Sequence, residues 1–98
     1  MEVIHEPDRG RFVAYLPGGE AELSYVDLGN GILDFVHTFT PAAERGKGVA
    51  GKVVEAAVQY ARAQNARVVP SCPVVRAWLT AHPEALPTSA LAGDPSSA

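Results

Sequence analysis

Three features of this chain could do chemistry: the basic, glycine-rich run Arg45-Gly46-Lys47-Gly48-Val49-Ala50-Gly51, the single cysteine Cys72, and His37 inside an apolar stretch. The glycine-rich run suits a phosphate. The first turn of a helix has backbone N–H groups without intrahelical partners and carries the positive end of the helix dipole, so an anion can lie directly on the backbone where glycines leave room. Arg45 and Lys47 add positive charge at the same mouth. Cys72 stands in Pro70-Ser71-Cys72-Pro73, a sequence that starts a helix, and a helix N-terminus stabilises a thiolate. A lone cysteine is equally a small buried hydrophobe, and both readings stay open. His37 could relay a proton near neutral pH, or be a half-buried strand side chain.

The elements that must position these groups follow from the hydrophobic pattern. Residues 1–5 read as a short edge strand, ended by the turn formers Glu6-Pro7-Asp8-Arg9-Gly10. A strand over 11–16, a hairpin at Pro17-Gly18-Gly19, an alternating strand over 20–28, a turn at Gly29-Asn30-Gly31 and an apolar strand over 32–40 make an antiparallel meander. Pro41 stops the ladder. From 48 to about 64, Val49, Val53, Ala56, Ala57, Tyr60 and Ala61 recur with helical spacing, and Asn65 can cap the end. Arg67-Val68-Val69 then reads as a strand parallel to the one before the helix. A second, shorter helix begins at 70–73, with Val74, Val75, Trp78 and Leu79 on its buried side, and His82-Pro83 ends it. Residues 87–98 are small and polar and read as a frayed tail.

A chain of 98 residues holds one core, with no room for separate cofactor and substrate domains. A hydrophobic fraction of 47% and a charged fraction of 19% are those of a soluble globular domain. The net charge of -3, with scattered lysines and arginines, argues against nucleic acid. The apolar runs are far short of the roughly 20 residues that span a bilayer, and the start Met1-Glu2-Val3-Ile4-His5-Glu6 has no signal-peptide pattern; no membrane partner and a cytoplasmic location are expected. One cysteine and three scattered histidines make no zinc set, so no metal is expected. An unpaired edge in so small a sheet leaves room for a homodimer.

Gly46-Lys47-Gly48-Val49-Ala50-Gly51 also spells G-x-G-x-x-G, the dinucleotide fingerprint. Its context is wrong. An Asp or Glu should close the second strand about 20 residues on, where Val69-Pro70-Ser71-Cys72 stands. A P-loop is excluded because no Gly-Lys-Ser/Thr ends the run. The order Arg45-x-x-Gly48-x-Ala50, after a meander and before an amphipathic helix, instead resembles the R/Q-x-x-G-x-G/A acyl-CoA signature of the GNAT N-acyltransferases. His37-Thr38, Arg45-Gly46-Lys47-Gly48, the helix through Tyr60-Ala61, Val68-Val69-Pro70-Ser71-Cys72-Pro73 and His82-Pro83 extend that resemblance, in order, to the small single-domain GNAT-like N-acetyltransferase family, over roughly residues 12–87.

The resemblance implies an α+β, abbreviated GNAT fold: a mostly antiparallel sheet with a β-α-β-α C-terminal half, lacking the two helices that usually follow the first strand, and so an open acceptor groove. It implies a domain over residues 1–87 and a flexible C-terminal tail over 88–98. It implies an acetyl-CoA-dependent N-acetyltransferase acting on an amine, either a small molecule or a protein lysine. The pyrophosphate and pantetheine of acetyl-CoA would lie on Arg45, Gly46, Lys47, Gly48, Val49, Ala50 and Gly51 and along Val36, Thr38 and Phe39, with N–H groups near Thr38 and Phe39 facing the acetyl carbonyl. Cys72 would stand near the acetyl end as nucleophile, as acid, or as a packing group beside direct transfer, with His37 as proton relay. Many acetyltransferases protonate the thiolate with a tyrosine at the position comparable to Trp78, and indole cannot replace it. A non-catalytic CoA-binding or protein-interaction module with the same fold is the alternative.

Overall fold

The computed structural model describes residues 1–92; the expected tail beyond them, residues 93–98, lies outside the described residues. Five strands form one sheet in chain order: β1 (Ile4–Glu6), β2 (Arg11–Leu16), β3 (Gly19–Gly29), β4 (Ile32–Phe39) and β5 (Arg67–Val69). The first three junctions are antiparallel and β4–β5 is parallel. The parallel junction needs a crossover, supplied by helix α1 (Val49–Ala63); helix α2 (Pro73–Ala81) follows β5. The meander, the single crossover and the second helix are those the sequence predicts.

Local chemistry sets the corners. Asn30 and Gly31 take positive φ values of 55° and 74° in the β3–β4 turn. Asn65 ends α1 in the left-handed region at φ 54°, donating its N–H to Arg62 O while Ala66 N–H donates to Ala61 O. That pair of bonds is a Schellman motif and satisfies carbonyls the helix would otherwise leave open.

α1 packs on β2, β3 and β4. Phe12, Ala14, Ala21, Leu23, Leu33 and Phe35 point toward it and meet Val53, Val54, Ala57, Val58 and Ala61. Each large side chain buried there contributes about 1.5–3 kcal/mol relative to exposure. His5, Phe12, Tyr25 and Tyr60 close one end of this core as an aromatic cluster, with His5 stacked on Phe12 and its Nε2 2.6 Å from the Tyr25 hydroxyl.

The face turned away from α1 is charged. Register places Glu6, Arg11, Glu20 and Glu22 together there. The Arg11 guanidinium donates to Glu6 and Glu22 at 2.7 Å, to Glu20 at 3.1 Å and to the Tyr15 hydroxyl at 3.3 Å, while that hydroxyl donates to Glu6. Bonds to Glu22 first, then Glu6, hold Arg11 firmly protonated.

Two expectations change. Val74 is 44% exposed, because a helix that begins at Pro73 turns Val75 inward instead; Val75 is fully buried, and Trp78 and Leu79, three and four positions on, are half-buried. Residues 88–92, expected to fray, dock on the sheet. Thr88–Ala90 forms a 3-10 turn, Leu91 bridges Val68, and Ala92 N–H donates to Val68 O at 2.7 Å.

Candidate functional site

The site is assembled where β4 leaves the sheet and α1 begins. Gly46 and Gly48 both adopt positive φ, 80° and 76°, and a Cβ built on either would meet nothing within 4 Å. Only glycine adopts this backbone without strain, and the space above it is open. Left-handed Gly48 followed by helical Val49 turns successive N–H groups to one side, the local geometry of an anion-binding nest. Lys52 donates to Gly48 O at 3.3 Å, the first helical bond; the N–H groups of residues 46–51 have no acceptor among the described residues, and no side chain caps the helix. Val49 is buried and Ala50 half-buried, so at this mouth they offer backbone only. Gly51 faces Trp78, whose Nε1 would lie 3.7 Å from an added Cβ.

Arg45 and Lys47 are exposed at the same mouth. The Arg45 Nε donates to Thr40 O at 3.1 Å, which anchors its stem and leaves the end of the guanidinium outside. Lys47 lies 3.4 Å from Glu44, a loose pair. Glu44 itself is buried, and its other oxygen accepts the N–H of Gly18 at 3.1 Å, tying the loop to the tip of the β2–β3 hairpin.

Beside the loop the sheet splits. β4 pairs with β5 only through Ile32, Leu33 and Asp34, and Cys72 N–H to Phe35 O, 2.9 Å, is the last backbone bond across this junction. On its other side β4 keeps pairing with β3, but the register jumps: Tyr25 opposes Phe35 and Ser24 opposes His37, so Val36 is the extra residue of a bulge. A bulge bends and twists its strand, which accounts for β4 swinging away from β5. Val36 and Phe39 along the splayed segment are 39% and 48% exposed.

Cys72 sits at the closed end of the split, 4% exposed, as the N-cap of α2. Its Sγ is 3.7 Å from Thr38 Oγ1. Burial pushes the thiol up, but the Val75 N–H, the Thr38 hydroxyl, the Val74 N–H and the Thr38 N–H face the sulfur and together bring it below the ordinary thiol value.

His37 is not brought to Cys72. Its register partner is Ser24, whereas Thr38 pairs with Leu23, a core residue; His37 therefore stands exposed on the face turned away from α1, and no side-chain hydrogen bond holds it among the described residues. So the structure joins Thr38 with Cys72, gathers residues 45–51 at one mouth, and leaves His37 across the strand. Sequence reasoning missed Glu44 and Asp34. Glu44 gives no local signal because its partner is 26 positions away. Asp34, a carboxylate in an otherwise apolar strand, was a visible anomaly; its Oδ1 is buried without a partner. No group of three His, Cys, Asp or Glu among the described residues could hold a metal, and no helix there is long and apolar enough to cross a membrane.

Known proteins match this architecture. A family model described as GCN5-related N-acetyl-transferase matches residues 11–87. Protein NATD1 from Gallus gallus is 28% identical over 85 residues, covering 85% of this chain and 77% of that protein. The Bos taurus NATD1 is 29% identical over 85 residues, covering 85% and 75%. A GCN5-like protein from Staphylococcus aureus, solved by NMR, shares the fold with a TM-score of 0.65 at 21% identity, over 95% of this chain and 89% of that one.

Proposed function

This chain belongs to the GCN5-related N-acetyltransferase family, and we propose that it binds acetyl-CoA and passes the acetyl group to an amine. The observation that carries this reading is the run of unpartnered amides at residues 46–51, opening onto a split between β4 and β5. Exposed N–H groups at a helix start, approached through left-handed glycines, are free to meet an anion. A diphosphate fits the nest, with Arg45 and Lys47 beside it, and an extended thioester arm fits along Val36, Thr38 and Phe39.

In direct transfer the amine nitrogen attacks the thioester carbonyl; the C–N bond forms, the C–S bond breaks, and the CoA thiolate takes up the proton that nitrogen gives away. His37, exposed on the outer face, relays that proton for an amine arriving from that side. In the two-step variant the Cys72 thiolate attacks first and CoA leaves, and the amine then attacks the acetyl-cysteine. The lowered thiol of Cys72 favours this route, and its burial opposes it. The expected homodimer would use the outer edge of β1, where no strand pairs among the described residues.

Acetyl-CoA in 100-fold excess over its Kd should stabilise the native state by about 2.7 kcal/mol. An unchanged melting temperature at millimolar acetyl-CoA would sink the proposal. Intact mass spectrometry after incubation with acetyl-CoA alone separates the routes: a gain of about 42 Da, absent in Cys72→Ala, supports the acetyl-cysteine, while product without adduct supports direct transfer. Binding with neither adduct nor product across amines and lysine peptides would identify a CoA-binding module.

A further inference from the structure

At the far end of α1 from the mouth the fold builds a second cleft. The 15 residues of the helix put about 20 Å between the two. After α2 the chain turns back: Ala85 N–H donates to His82 O at 3.0 Å, Leu86 is buried in the core, and Leu91 bridges Val68. This strap, stiffened by Pro83 and Pro87, faces the end of α1 and the start of β5 across a cavity of about 510 Å³. Small organic ligands occupy pockets of roughly 300–1,000 Å³. None of the residues lining this one belongs to the mouth.

Its polar lining is rich in donors. Arg62 comes from the last turn of α1, Asn65 from its left-handed end, Arg67 from the first position of β5 and Ser89 from the 3-10 turn. All four are exposed and so reachable, and none makes a side-chain hydrogen bond or ion pair among the described residues. The negative end of the α1 dipole is blunted here, because the carbonyls of Tyr60, Ala61 and Arg62 accept the N–H groups of Gln64, Ala66 and Asn65. The clasp around Arg11 is the opposite case. There three carboxylates satisfy one arginine; here two arginines line the cleft with one carboxylate, Glu84, which pairs with neither. Asp34, one pair along from Arg67 across the β4–β5 junction, forms no ion pair with it either.

Independently of the acetyl-transfer reading, we infer that this cleft binds a small organic anion, with its phosphate or carboxylate group on Arg62 and Arg67 and its apolar body against Leu86 and Ala90. Guanidinium groups meet such oxyanions through two parallel hydrogen bonds. Asn65 and Ser89 add donors beside them. Since Asn65 closes α1 and Ser89 belongs to the strap, an occupant ties the end of the helix to the chain that follows α2.

The test is a titration of the isotope-labelled full chain by phenyl phosphate and, in a parallel arm, by benzoate, with CoA present to fill the mouth. Either anion should shift the backbone amide resonances of Asn65, Arg67 and Ser89 and leave those of Gly46 and Gly48 in place. Benzyl alcohol should bind at least tenfold more weakly. Replacing both arginines, Arg62→Gln with Arg67→Gln, should weaken anion binding at least tenfold, while Glu84→Gln should strengthen it. The rise in melting temperature caused by CoA should be the same in these variants as in the parent, which keeps the cleft distinct from the mouth. Tighter binding of phenyl phosphate assigns a phosphate ester, and tighter binding of benzoate assigns a carboxylate. Unchanged affinity in the double variant, weaker binding in Glu84→Gln, equal binding of benzyl alcohol, shifts centred elsewhere, or no saturable binding of either anion at millimolar concentration overturns the inference.

Discussion

The two halves of the sheet handle polar groups in opposite ways. Around β1, β2 and β3 they are used up: Arg11 is clasped by Glu6, Glu20 and Glu22, and His5 meets Tyr25. Around β4, β5 and the start of α1 they are left unpaired: the amides of residues 46–51, the splayed segment of β4, and the buried Asp34 Oδ1. Both halves share one core beneath α1. The contrast teaches that unmet hydrogen-bonding capacity here is local and not a property of loose packing, which is why it marks a site.

Phe35 tests whether the halves are one folding unit, since it is fully buried on β4 and its carbonyl holds the turn into α2. Phe35→Ala should cost about 3–5 kcal/mol in urea denaturation, as a single transition; separate transitions for the two halves would break the comparison. Arg11→Met should lower the melting temperature by several degrees, because it strands three carboxylates, yet leave the increment given by acetyl-CoA unchanged. Gly48→Ala should do the reverse: a cost of about 1–2 kcal/mol for the left-handed backbone, with a shrunken acetyl-CoA increment in thermal melts.

A smaller effect comes from pH. Burial lowers the His5 pKa below its usual 6.5, so the unfolded chain binds the proton more readily. The stability His5 contributes is therefore complete above about pH 6.5 and is lost as pH falls through the folded-state value. Melting temperatures from pH 7.5 to 5 should fall more in the parent than in His5→Phe. The least change is expected of Lys47→Ala, about 0.3 kcal/mol or less from its loose pair with Glu44, with a several-fold loss of acetyl-CoA affinity by calorimetry if the lysine serves the mouth.

What could be read along the chain was whatever depends on neighbours in sequence. Gly29-Asn30-Gly31 needs positive φ wherever it occurs, the alternation in β3 shows its two faces, and Asn65 stops a helix by its own conformation. The family resemblance located the glycine-rich mouth for the same reason. Contacts between distant residues were not legible: the clasp around Arg11, the buried Glu44 holding Gly18, and Thr38 facing Cys72. The side that His37 faces also depended on a bulge at Val36, because one extra residue moves each following side chain to the other face. Val74 was misplaced by a single position in the start of α2.

The contact between Gly18 and Glu44 gives the mouth a remote support. A side chain at position 18 would begin 2.9 Å from Ala43 Cβ and from the Glu44 side chain, so the hairpin tip and the loop lie too close for any other residue without a shift. Enlarging the tip should therefore weaken the proposed binding of acetyl-CoA from a residue outside the mouth. Variation at that hairpin would tune ligand affinity while leaving every group at the mouth chemically intact.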